Sequence, residues 1–143
     1  MSRAEILAEV ACRVLEDCAF LFLESAEDAE EADLENAIAS SIAINAEQSH
    51  VLKLVASRPL LVEAAANMLG TEADDPEVAG GAEQVIGELL NVVAGSLVAR
   101  LFGTAAEIGL GIPQRVDPRS VVDDAVVLML RADSGDFLRL ELR

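Results

Sequence analysis

The chain has 143 residues, 52% of them apolar, so it can bury one sizeable core without disulfide or metal staples. With 26 acidic residues against 10 basic ones, its net charge of −16 repels phosphate backbones and anionic lipid alike, and four Phe with no Trp or Tyr offer no platform for stacking bases. Nucleic acid and membrane surfaces are therefore poor partners, and residues 1–143 read as one domain with one site to find.

The N-terminus "MSRAEILAEV" alternates charge with apolar residues, unlike a secretory signal, and no apolar run approaches the roughly 20 residues of a bilayer span. A cytoplasmic protein is expected. "SRAE" is a capping box, and Ile6, Leu7, Val10, Val14 and Leu15 follow helical spacing, which predicts an amphipathic helix over about 3–17. Cys12 and Cys18 have no metal-ligand spacing and read as small packing residues. "CAFLFLE" reads as a short strand buried on both faces.

Residues 24–35, "ESAEDAEEADLE", carry seven acidic residues and one large apolar one, the pattern of a solvated loop or, as the alternative, a surface for a basic partner. "AIASSIAIN" and "HVLKLVA" flank the polar "AEQS" and predict a β-hairpin. "RPLLVEAAANMLG" starts with Pro in a first helical turn and stops at Gly70, a second helix of about 11 residues. After "TEADDP", helical patterning runs from Pro76 to Phe102 and closes at Gly103. "AAEIGLGIPQRV" is extended, with Pro113 confining it to an edge or bend. "AVVLMLRAD" and "FLRLELR", joined by "DSGD", predict a terminal antiparallel hairpin whose Arg139, Glu141 and Arg143 form a wet face. Neighbouring strands with helices gathered between them argue for an α+β fold, an antiparallel sheet with long helices packed on it.

The long helix poses the functional question. At about 100° per residue, Val85, Ile86, Leu89, Leu90, Val92, Val93, Ser96 and Leu97 cover one broad side, the core side. Gln84, Glu88, Asn91 and Gly95 fall within an arc of roughly 60° on the other side. A merely solvated face would suit Gln and Glu, but Asn competes for backbone partners in mid-helix and Gly costs about 1 kcal/mol relative to Ala. Gly95 also leaves a bare patch beside Asn91, so the ridge reads as a docking surface. Other chemistries lack their parts. His50 is the only histidine, which removes a histidine triad, too few soft ligands remain for zinc, and "GLG" at 109–111 has no helix behind it to make a nucleotide fingerprint.

From about Ala19 onward the chain resembles the CheX branch of the CheC/CheX/FliY chemotaxis phosphatases, in the order of its elements and in "NMLG", "AEQVIGELLNVVAG" and "IGLGIP". The family motif is Asp or Ser, three residues, Glu, two residues, Asn, and a Pro some twenty-odd residues on. Glu88, Asn91 and Pro113 match it, while Gln84 departs from it at the Asp/Ser position. One copy of the motif, where CheC-like members carry two, points to CheX. The resemblance implies that the substrate is the aspartyl phosphate of a CheY-like response-regulator receiver domain. It implies that Asn91 holds the attacking water and Glu88 engages the receiver's lysine, with Gln84, Gly95 and Pro113 in the docking surface. The Mg²⁺ would be the receiver's, leaving the chain no cofactor or metal of its own. The alternative is a non-catalytic docking or scaffold module that binds a receiver. Because the last strand alternates cleanly and CheX-like proteins pair subunits through strands, a homodimer through that strand's free edge is also expected.

Overall fold

The computed structural model describes residues 2–26, 34–72, 76–78, 80–103 and 107–143. Helix α1 spans Arg3–Ala19. The Glu5 amide donates to Ser2 Oγ at 3.2 Å and the Ser2 hydroxyl donates to the Glu5 carboxylate at 3.2 Å, so the cap expected from "SRAE" closes on itself. Leu7, Val10, Ala11, Val14 and Leu15 form its buried stripe.

The run 18–24 is not a buried strand. Cys18 and Ala19 finish α1, Phe20 turns the chain at φ 53°, and the Asn67 side-chain amide donates to the Ala19 carbonyl at 2.8 Å, tying this end to the second helix. Leu21 then buries while Phe20 and Phe22 stand 61% and 72% exposed. Only Glu24–Ser25 is strand (β1). Cys12 packs half-buried against the core, where burial pushes its thiol up, but Cys18 is exposed and is no packing residue. Of the acidic stretch, residues 27–33 lie outside the described residues.

A 3₁₀ turn at Leu34–Asn36 leads into the hairpin, β2 (Ala37–Asn45) and β3 (Ser49–Ser57), paired from Ala37↔Ser57 to Asn45↔Ser49. Helix α2 (Arg58–Leu69) has Pro in its first turn and ends at Gly70, whose φ of 71° suits a residue without Cβ. The expected helix over 76–102 is broken in two, a 3₁₀ turn at Pro76–Val78 and α3 at Gly81–Phe102. Gly80, at φ 81°, makes the break. Gly81 follows because a Cβ there would sit 3.1 Å from that of Ala65 on α2.

Strands β4 (Gly109–Leu110) and β5 (Gln114–Val116) share the outer edge of β2, with Pro113 between them. Strands β6 (Val126–Arg131) and β7 (Phe137–Leu142) complete an all-antiparallel sheet in the order β1-β6-β7-β3-β2-β4, with β5 beside β4 on β2. The α+β class therefore holds, with three α-helices against one sheet among the described residues. Strand β7, expected at a free edge, lies between β6 and β3.

The main core joins the helices to Ile38, Ile42, Ile44, Leu52, Leu54, Leu138, Leu140 and Leu142 on one sheet face. The other face is not wet as the alternation of β7 suggested. Ala39, Val55, Met129 and Phe137 form a second small core there. Residues 117–120 fold across it, and Lys53 Nζ donates to the Pro118 carbonyl at 3.3 Å and the Ser120 hydroxyl at 2.9 Å, with Glu141 at 3.8 Å. Alternation identifies the two faces of a strand but not what covers each. By length and composition alone α3 could cross a membrane, contrary to the sequence reading, yet it packs against α1, α2, β2 and β3.

Candidate docking and active site

Eight residues of α3, among them Val85, Ile86, Leu89, Leu90, Val93 and Leu97, are buried. That anchors the opposite face outward, and Gln84, Glu88, Asn91 and Gly95 are all exposed on it. Val92, assigned to the core by periodicity, is 41% exposed and extends the ridge with an apolar side chain. The bare patch is real, since a Cβ on Gly95 would meet nothing within 4 Å.

Pro113 reaches the same face from the sheet edge. The chain between β4 and β5 is fastened at Gly111, whose amide donates to the Ala43 carbonyl at 2.8 Å. A Cβ on Gly87 would lie 3.7 Å from Pro113 Cβ, so the half-buried Pro113 seats over Gly87, next to Glu88 and one helical turn before Asn91. Glu88, Asn91 and Pro113 thus stand together although the last lies beyond the helix. Gly87 was missed at the sequence level, for a mid-helix Gly signals only a close approach and not by what.

Toward its start, α3 is held to α2 by the Arg58–Glu83 ion pair, and the guanidinium holds the Glu83 carboxyl below the usual carboxylate range. Between the helices a cleft of about 120 Å³ is lined by Ala65, Met68, Leu69, Gln84, Val85 and Glu88. Leu69 and Met68 are 60% and 39% exposed, and Ile112, beside Pro113, is 82% exposed. These residues put an apolar rim around the polar ridge, the pattern of a protein-docking surface rather than a small-molecule pocket. Sequence reasoning passed over Met68 and Leu69 because two large apolar residues before a helix-ending Gly look like ordinary core. Among the described residues no group of three or more His, Cys, Asp or Glu could hold a metal ion. The chemistry available is an amide and a carboxylate on a rigid helix, able to orient water and engage a cation.

No protein-family model matches the chain, and no curated protein matches it at a significant level. Solved structures do. A chemotaxis protein CheX from Desulfovibrio desulfuricans superposes with a TM-score of 0.74 at 14% identity, over 100% of this chain and 99% of that one. CheX from Vibrio vulnificus gives 0.71 at 16% identity, over 99% of each. CheX in the CheX–CheY–BeF3–Mg complex from Borrelia burgdorferi gives 0.73 at 12% identity, over 99% of this chain and 96% of that one. The chain has the CheX-like fold of the CheC/CheX/FliY chemotaxis proteins.

Proposed function

We propose that the protein is a phosphatase for the aspartyl phosphate of a CheY-like response-regulator receiver domain. The observation that carries this reading is the outward placement of Glu88 and Asn91 on α3 beside the seated Pro113, in a molecule with the fold of a CheX that has been seen in complex with CheY. Asn91 enters the receiver's site and orients a water in line with the acyl phosphate, its amide offering both a donor and an acceptor without any need to change protonation state. Glu88 engages the receiver's lysine and fixes the approach. Catalysis is positioning, supplied by a helix that cannot yield because its other face is core. The Mg²⁺ is the receiver's, and this chain contributes no cofactor. Gln84, Gly95 and Pro113, with Met68, Leu69 and Val92, form the docking rim. The reading also places the protein in the cytoplasm, where such receivers work, as a homodimer. With β7 interior, pairing uses another edge, and Val126–Leu128 on the outer side of β6 have no strand partner among the described residues.

Single-turnover loss of acyl phosphate from a phosphorylated receiver, with saturating protein, tests the mechanism. Asn91→Ala is expected to lower the accelerated rate about a hundredfold while leaving affinity within a few-fold, because its interaction is made in the transition state. Glu88→Ala should lose rate and also affinity, by about 2 kcal/mol, since its partner charge is left unpaired in a closed interface. Gln84→Ala should change the rate little. Wild-type protein that binds the phosphorylated receiver without shortening its lifetime would establish the scaffold alternative instead. Full activity in Asn91→Ala would remove the mechanism.

A further inference from the structure

A second concavity lies at the other end of α3, about 16 Å along the helix from Asn91 at 1.5 Å per residue. It has a volume of about 620 Å³ and is lined by Arg3, Glu47, Gln48, His50, Phe102 and Glu107, so the start of α1, the β2–β3 turn and the end of α3 converge on it. Its size falls in the range of small-molecule sites, roughly 300–1,000 Å³. The receiver reading makes no use of it.

His50 is the buried polar group of this cavity, 7% exposed on β3. Its ring tilts 43° against Phe102 with centroids 5.3 Å apart. Nδ1 lies 3.1 Å from the main-chain oxygen of Arg143, which can only accept, so Nδ1 carries a proton. In the neutral ring Nε2 is then an acceptor, and no described residue bonds to it. Among the described residues the charged groups around it are also without ion-pair partners. Neither Glu47 nor Glu107 forms an ion pair with Arg3 or with any other described residue. The helix ends repeat this polarity, since α1 starts at Arg3 with its positive end and α3 finishes at Phe102 with its negative end.

We infer that this cavity binds a zwitterion, a free α-amino acid with an apolar side chain. Its carboxylate would face Arg3 and the first turn of α1, and its ammonium group would face Glu47, Glu107 and the acceptor nitrogen of His50. Its side chain would lie on Phe102 and Leu101. A metal ion fits less well, because no metal-holding group exists among the described residues, and a simple cation would leave Arg3 unanswered.

Because His50 is the only histidine, its imidazole resonances report the cavity without assignment of the rest of the chain. The probes are L-leucine, isoamylamine, which lacks its carboxylate, and isocaproate, which lacks its ammonium group, each titrated to millimolar concentration. Saturable shifts with leucine are expected, with affinity at least several-fold above that of either analogue. Arg3→Gln should weaken leucine and isocaproate but leave isoamylamine unchanged, and Glu47→Gln with Glu107→Gln should weaken leucine and isoamylamine but leave isocaproate unchanged. All three side chains are exposed, so these variants keep the fold. Isoamylamine binding as tightly as leucine would reduce the site to a cation pocket and overturn the inference. The absence of saturable shifts with leucine would overturn it outright. Neither result bears on the receiver reading, which is assayed at Asn91.

Discussion

Gly87 and Gly95 lie on one face of α3 for opposite reasons, and their substitutions should separate accordingly. At Gly87 an added Cβ meets Pro113 at ordinary contact distance, so Gly87→Ala should fold and gain about 1 kcal/mol of helix propensity. Gly87→Leu should push Pro113 away, lowering the dephosphorylation rate more than the unfolding midpoint. At Gly95 an added Cβ meets open space. Gly95→Leu should keep or raise the midpoint in urea while weakening receiver binding, and unfolding of this variant would assign Gly95 to internal packing. The ridge itself was legible in the sequence, since the spacing of Gln84, Glu88 and Asn91 survives as a line of exposed side chains. Gly87 and Val92 were not, because the roles of a glycine and of a flanking apolar residue are decided by what a distant segment brings against them.

Lys53 belongs to an element whose environment strand alternation could not supply. Burial holds its ammonium below the ordinary lysine range, while Glu141 and Asp117 pull it up and Arg139 pulls it down. The charged form thus burdens the folded state more than the unfolded chain. As pH rises from neutral toward the ordinary value of 10.5, the folded state loses its proton first and this burden is relieved. Wild type should therefore gain stability relative to Lys53→Met over that interval, whatever their difference at neutral pH, and parallel urea midpoints across it would refute the account. Helix ends and hairpin strands were readable because Pro59, Gly70 and the β2–β3 pattern act locally. The fate of "CAFLFLE" was not, since its first residues are held in α1 by Asn67, far along the chain. The long helix was divided by Gly80, whose left-handed backbone leaves no mark in an apolar count.

Across the whole molecule, charge governs association. Two chains carrying −16 each repel at long range, so the proposed homodimer should be favoured as salt shortens the Debye length from about 30 Å at 0.01 M to about 8 Å at 0.15 M. Sedimentation should show a 15.1 kDa species giving way to one of twice that mass as salt is added. A monomer under all conditions at micromolar concentration would exclude the dimer.

The position of β7 between β3 and β6 also imposes an order on synthesis. Strand β3 emerges from the ribosome soon after β2, but its other neighbour is encoded by residues 137–142, the last strand of the sheet. Until these arrive, the main-chain groups of β3 that face β7 have no ladder, and β6 has not yet met the strand that joins it to the sheet. Until residues 137–142 emerge, the nascent chain must therefore carry its helices beside an open sheet, exposed to proteases and to strand exchange with neighbouring nascent copies. Chains stalled before Phe137 should remain protease-sensitive, with resistance appearing only after the final strand clears the exit tunnel.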